Sequence, residues 1–289
     1  MQHLTKATQE FLSQKPDKNQ LLMYLDEDVW INYDISVNLL NEILALADAK
    51  RKHRMMSMAI AAPPNNGKTS LIKEVCKAKK KIINPSGIVC PVISAELTSN
   101  VDLRTFLNLI NKAINGAVHY PQKLDSLRDH VLDCLLRYQV KLIIIDEVQL
   151  LANLTTKRLR MILDEMKTIS NIAQVSFVVF GSDELDVIFS YHPHIRSRFV
   201  LRNLPEWQYN EAYLRLLATI ESELPFSESS NLTKKETALL ILEKTNGTIG
   251  EILSVLKELA TIAIHEGKNC IDVLDIPKLN FQTAKPHLN

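Results

Sequence analysis

The stretch that decides the fold runs Met55-Met56-Ser57-Met58-Ala59-Ile60-Ala61-Ala62-Pro63-Pro64-Asn65-Asn66-Gly67-Lys68-Thr69-Ser70. Its first eight residues are an apolar run closed by a turn, so they read as a buried β-strand. The Pro-Pro-Asn-Asn-Gly that follows forces a loop, and Gly67 to Lys80 has the spacing of a helix. Strand, loop ending Gly-Lys-Thr, then helix is the context in which such a loop cradles phosphates. Ala62, Pro63, Pro64, Asn65, Asn66, Gly67, Lys68, Thr69 and Ser70 are therefore the candidate nucleotide-binding residues. N–H groups of the loop and the helix N-terminus can wrap phosphate oxygens. Lys68 is placed for the β- and γ-phosphates of ATP, and Thr69 for a hydroxyl contact to Mg²⁺. The pattern asks for Gly at its first position, where this chain has Ala62. One methyl group is tolerable there while φ stays negative.

Downstream, Lys141-Leu142-Ile143-Ile144-Ile145-Asp146-Glu147 is the clearest buried strand, four large aliphatics ending in two acids. Asp146 is the second candidate ligand for Mg²⁺, and Glu147 the group that orients and polarises an attacking water. Val175–Phe180 reads as another strand and ends in Gly181-Ser182-Asp183. Ser182 is the candidate sensor between nucleotide and water; it also suits the cap of a helix at Asp183–Phe189. Then comes His194-Ile195-Arg196-Ser197-Arg198-Phe199. Arg198 first and Arg196 second are candidates for an arginine finger on a neighbouring subunit's γ-phosphate, against the plain alternative of surface arginines.

Strands alternating with helices imply parallel pairing in an α/β sandwich. After Leu204-Pro205 the pattern becomes helical, with Glu206–Glu221, Thr233–Lys244 and Ile249–Glu266 apolar at helical spacing. The expected division is an N-terminal arm and leading helix at 1–53, an α/β domain at 54–204, a helical lid at 205–271 and a tail at 272–289. A short helix is expected at Thr5–Ser13, broken by Lys15-Pro16-Asp17-Lys18, and a longer one after Asp34. The 289 residues carry a formal net charge of +1, so the chain as a whole is not a basic glove for nucleic acid. Lys50–Arg54 and Lys77–Lys81 are local basic clusters, readable as phosphate-binding patches or as solvated helix ends. Four scattered cysteines with no CxxC pair argue against a zinc site. No apolar run approaches the roughly 20 residues of a membrane helix, and the first residues lack a signal-peptide core. A cytoplasmic protein is expected.

With the Gly-Lys-Thr loop, the Asp-Glu strand end, the Gly-Ser sensor, Arg-Ser-Arg-Phe and a helical lid in this order, the chain resembles AAA+ ATPases. More narrowly it is similar to the TniB/TnsC transposition regulators, relatives of the phage Mu target-binding ATPase. The likeness runs from about Ile35 to Ile271. Its narrower marks are the basic helix end before the first strand, Leu-Ile-Ile-Ile-Asp-Glu-Val-Gln, Val-Phe-Gly-Ser-Asp-Glu-Leu, and Thr-Asn-Gly-Thr-Ile-Gly-Glu-Ile-Leu before a long helix. The resemblance implies a P-loop AAA+ three-layer sandwich followed by a small helical lid. It also implies a slow ATPase that forms rings or helical filaments on duplex DNA without reading sequence. Such proteins recruit a transposase and answer to a target-selection factor, and hydrolysis controls disassembly. The lid departs from the usual pattern: Glu251 stands where many AAA+ lids carry a γ-phosphate Arg.

In resembling ATPases the start of the helix after the second strand faces DNA. Thr98, Ser99, Asn100 and Arg104 are the matching candidates, with Lys79, Lys80 and Lys81 behind them. Thr98–Asn100 equally suits a helix cap. Ile31 and Tyr33 are candidates to flank the adenine, or plain core. Two other readings stay open: another AAA+ DNA machine such as a replication initiator or helicase loader, and a nucleotide-gated protein scaffold that never touches DNA.

Overall fold

A computed structural model describes residues 3–27, 29–52, 54–85, 87–115, 123–190 and 193–272. The tail beyond residue 272, His53 of the first basic cluster, and 116–122 between two expected helices lie outside the described residues. The chain forms two compact units, one of residues up to Asp34 and from Glu206 onward, the other Ile35–Pro205.

The second unit is built on a five-stranded parallel sheet. Its strands are β1 (Ser57–Ala61), β4 (Val92–Glu96), β5 (Leu142–Asp146), β6 (Ser176–Gly181) and β7 (Phe199–Asn203), in the order β4-β5-β6-β1-β7. In β5, Leu142 to Ile145 are all buried, and in β6 every residue is. A strand apolar on both sides must be covered on both faces, so each such aliphatic contributes roughly 1.5–3 kcal/mol relative to exposure. Helices α4 (Lys68–Ala78), α5 (Leu103–Asn115), α6 (Leu124–Arg137) and α7 (Thr156–Ile172) supply that cover through Leu71, Val75, Phe106, Ile110, Leu127, Leu135, Ile162 and Ile169. The three-layer α/β class expected from the sequence is the one observed.

Two parts of this unit went unread. The sequence pattern assigned no strand to 199–203; β7 pairs in parallel with β1, Ala61 opposite Asn203. Its Arg202 donates to Glu42 of α3 (Asp34–Asp48) at 2.8 Å. A short antiparallel hairpin, β2 (Ile82–Asn84) with β3 (Gly87–Val89), follows α4, and its Ile83 is 78% exposed.

The other unit is helical. α10 (Glu211–Glu223), α11 (Lys235–Lys244) and α12 (Ile249–Glu266) bury Tyr213, Leu217, Ile241, Ile252, Leu256 and Leu259. Residues 1–35 were expected as an arm with one short helix at Thr5–Ser13; two helices form, and the chain up to Asp34 belongs to this unit. α1 (Lys6–Ser13) is capped by Thr5, whose N–H donates to Ser222 O at 3.0 Å. α2 (Lys18–Asp26) starts where the sequence signalled only a break: Asp17 and Gln20 cap each other's N–H groups at 2.9 and 2.8 Å. Leu21, Leu22 and Leu25 lie on the apolar cluster, and Lys257 of α12 pairs with Asp26 at 2.8 Å. The compact division therefore falls after Asp34, where the sequence division kept 1–53 together. No helix among the described residues is long and apolar enough to cross a membrane.

Candidate phosphate-binding site

Strand register brings the site together. Glu96 stands opposite Asp146, and Ala61 opposite both Gly181 and Asn203, so the carboxyl ends of all five strands meet along one edge. β1 lies inside the sheet, flanked by strands late in the chain, and such a reversal of strand order opens a crevice at the carboxyl ends. The loop 62–67 leaves β1 at this crevice. Ala62 is buried and its N–H donates to Gly181 O at 2.9 Å. It does not carry a positive φ, so Ala replaces Gly there without backbone strain. The left-handed positions are Asn65 (φ 55°) and Gly67 (φ 84°). Asn66, also buried, donates from Nδ2 to Leu204 O (2.7 Å) and Pro205 O (3.0 Å), tying the loop to the chain after β7. The pattern alone did not reveal that anchor.

An open cavity of about 300 Å³ lies over the loop, lined by Pro64 to Ser70 and by Glu147, Gln149 and Ser182. The Lys68 ammonium donates to Ala62 O and Pro63 O, both at 3.0 Å. Burial lowers its pKa, and Asp146, Glu147 and Asp183 offset part of that shift. Burial likewise pushes the Asp146 carboxyl up, with Glu147 and Glu96 adding like charge; the Glu147 N–H, 2.9 Å from Oδ1, and Lys68 pull it back. Glu147 itself sits in the left-handed region (φ 60°) before a 3₁₀ turn, Val148–Asn153. Its Oε2 accepts from Gln149 Nε2 at 2.5 Å. Ser182 lines the same cavity and its hydroxyl lies 3.4 Å from Glu184 Oε2; the helix behind it, α8 (Leu185–Ser190), begins later than expected. The result is a cation and backbone cradle beside two acids, an arrangement chemically suited to a polyphosphate.

A family model described as "Bacterial TniB protein" matches residues 22–209. The chain belongs to the TniB family. No curated protein matches it. Among solved structures, this TniB chain is similar to the Aeropyrum pernix ORC2 protein (18% identity, TM-score 0.56, covering 90% of this chain and 73% of that one). It is similar to the Aeropyrum pernix ORC1 protein in complex with DNA (15%, 0.57, 89% and 68%). A third is domain III of the Thermotoga maritima replication initiation protein DnaA (15%, 0.55, 89% and 95%). At such identities the likeness is one of fold, and that fold is the AAA+ α/β sandwich.

Other candidate residues of the TniB chain sit apart from the cradle. Arg198 O accepts from Ser57 N at 2.9 Å, at the amino end of β1, the opposite sheet edge. Five residues of strand separate it from the loop, about 16 Å. Its guanidinium donates to Asn171 Oδ1 at 2.6 Å, and burial, then Arg54, lowers its pKa. Arg196 is at the same edge, bonded to Phe199 O at 3.3 Å. Neither serves its own chain's cradle.

The DNA candidates split into two sets. Thr98, Ser99 and Asn100 form an exposed loop at the carboxyl end of β4. They do not cap α5, which starts at Leu103; its cap is Asp102, whose Oδ1 accepts from Thr105 N at 2.7 Å. Arg104 is in the first turn. The Asp102 carboxyl is held below its usual range by the N–H and hydroxyl of Thr105, then by Arg158 and Arg104. Arg158 of α7 therefore joins Arg104 at this edge. Its signal was Lys157-Arg158-Leu159-Arg160 opening a helix with no acid in the first turn, the reverse of what the helix dipole favours. Lys79 and Lys80 instead flank a cavity with Lys77, Pro91 and Lys141 at the amino ends of the strands. Lys79 is paired with Asp48 at 2.5 Å, and Lys80 and Lys81 are exposed. They are not behind Thr98–Asn100 but across the sheet from it.

In the helical unit, Ile31 is buried in the apolar cluster and Tyr33 meets Trp207 edge-on at 5.2 Å. Burial pushes the Tyr33 hydroxyl up to about 12. Glu251 lies in the first turn of α12, where its charge suits the helix dipole, and accepts from Asn246 Nδ2 at 3.3 Å.

Proposed function

We propose that this TniB chain is an ATP-dependent AAA+ ATPase that assembles as an oligomer on duplex DNA and recruits a transposase, with hydrolysis releasing the assembly. The observation that carries the nucleotide part is the cavity lined by Lys68, Thr69 and Glu147 at the sheet edge, with Asp146 at the end of β5 near enough for its charge to act on Lys68. Membership of the TniB family supports the transposition part. Loop N–H groups and Lys68 bind the triphosphate, Lys68 giving up its two loop carbonyls to do so. Thr69 and Asp146 offer only oxygen donors, and Asp146 is a half-buried carboxylate beside two others, so this pair fits a hard divalent cation such as Mg²⁺. Bound there with the phosphates, Mg²⁺ supplies charge neutralisation. Glu147 takes the proton of the attacking water, and Ser182 orients it. Arg198 or Arg196 comes from a second copy, because each lies across the sheet from its own cradle. DNA phosphates meet Thr98, Ser99, Asn100, Arg104 and Arg158 on the cradle edge.

Binding to random-sequence duplex DNA with ATP, ADP or no nucleotide, over a range of salt, tests this. The reading expects ATP-dependent, sequence-tolerant binding that weakens steeply with salt. A tight sequence-specific footprint would favour an initiator. No DNA binding in any nucleotide state would favour a protein-only scaffold.

A further inference from the structure

Gln149 is the one lining residue of the cavity with no place in the scheme above. It sits in the 3₁₀ turn after β5, two residues past Glu147. Its Nε2 donates to Glu147 Oε2 at 2.5 Å, while its own Oε1 is buried and has no hydrogen-bond partner among the described residues. That oxygen lies against the end of β6: a Cβ built on Gly181 would come within 3.0 Å of it. Gly181 O in turn holds Ala62 N at the root of the phosphate loop. One side chain thus spans from the acid at the end of β5 to the turn that carries Ser182. A buried acceptor without a partner is unfavourable, and such a cost at a cavity wall points to a group kept for function.

We propose that Gln149 is a positioning residue for hydrolysis: its amide fixes the Glu147 carboxylate by one oxygen and leaves the other for the water's proton. The proposal rests on the ATPase reading. A carboxylate on a left-handed backbone position, next to a turn, has several rotamers open to it. One short hydrogen bond selects among them. A neutral amide does so without adding charge, whereas a Lys would bind the phosphates and a Glu would repel. Lys68 lines the same cavity, Asp146 and Asp183 act on it through charge, and all three stay unchanged when Gln149 is replaced.

The test uses the full chain with Gln149→Leu and Gln149→Glu, each checked for folding by its melting curve. ATP affinity is read by titration, and kcat by phosphate release, across pH. Gln149→Leu should keep ATP affinity within about twofold and lower kcat by tenfold or more, since a positioned proton acceptor contributes roughly 10²–10⁴ in rate. Gln149→Glu places two carboxylates where one hydrogen bond stood; the pair retains a proton, and the acid limb of the kcat profile moves up by about one pH unit or more. A Leu variant with the parent kcat, or a faster one, overturns the proposal. So does a Glu variant with the parent's pH profile, or a loss confined to ATP affinity. A parent chain that binds ATP and never hydrolyses it contradicts the ATPase reading itself, an outcome distinct from all of these.

Discussion

Asp146 carries a cost in the nucleotide-free protein, because burial and the charges of Glu147 and Glu96 disfavour its ionised form. Its folded pKa is raised, so the folded state holds the proton more tightly than the unfolded chain. The penalty applies above the folded value and fades as pH falls through it. Asp146→Asn keeps the acceptor for the Glu147 N–H and removes the charge. It should raise the melting temperature at pH 7, with a smaller gain near pH 4, while abolishing hydrolysis. A lower melting temperature at pH 7 would contradict the electrostatic account. The residue scale was also where sequence spoke most plainly. Lys68, Thr69, Asp146 and Glu147 were legible because strand–loop–helix context and a run of aliphatics ending in acids leave few other readings. The anchoring contact of Asn66 and the placement of Gln149 and Arg158 were not, because each depends on a partner distant in sequence or on a turn that no periodicity announces.

At the scale of elements, the long apolar strands and amphipathic helices were readable, and the partly exposed ones were not. β7 has only three apolar residues in a row; as an edge strand it is fully buried only at Phe199, and it ends in Arg202 and Asn203. β2 and β3 have three residues each, with exposed isoleucines. α2 was hidden by Pro16, although Asp17 and Gln20 spelled a capping box. The turn before α12 depends on Gly247, at φ 71°, which packs against Trp207: a Cβ there would fall 2.4 Å from Trp207 O. Trp207 N also donates to Gly247 O at 2.7 Å. Gly247→Ala should therefore destabilise the helical unit by roughly 1–3 kcal/mol, seen as a lowered urea midpoint. An unchanged midpoint would mean the turn relaxes freely.

At the scale of the molecule, the cradle and the arginines occupy opposite sheet edges of one chain, so on the proposed reading a complete site takes its arginine from a second copy. Lys68→Ala and Arg198→Ala should each lose hydrolysis, the first by losing nucleotide binding and the second by roughly 10³-fold or more if the finger is lost. Mixed together, they should recover part of the parent rate, because an Arg198→Ala cradle can face a Lys68→Ala chain that keeps its arginine. Absence of recovery at any mixing ratio would remove Arg198 from the mechanism. The division into an α/β unit and a helical unit was legible from the change of pattern after Pro205. The return of the N-terminal helices to the second unit was not, since it depends on long-range burial of Leu21, Leu22 and Leu25.

The central claim is that the nucleotide at the Lys68–Glu147 site controls assembly on duplex DNA. Electron microscopy of the Glu147→Gln variant on random-sequence duplex, followed over time after ATP is added and excess free ATP removed, tests it most directly. The amide cannot take the water's proton, so the account predicts ordered assemblies that persist while those of the parent disperse. Glu147→Gln assemblies that disperse at the parent's rate, or form equally well without nucleotide, would contradict it.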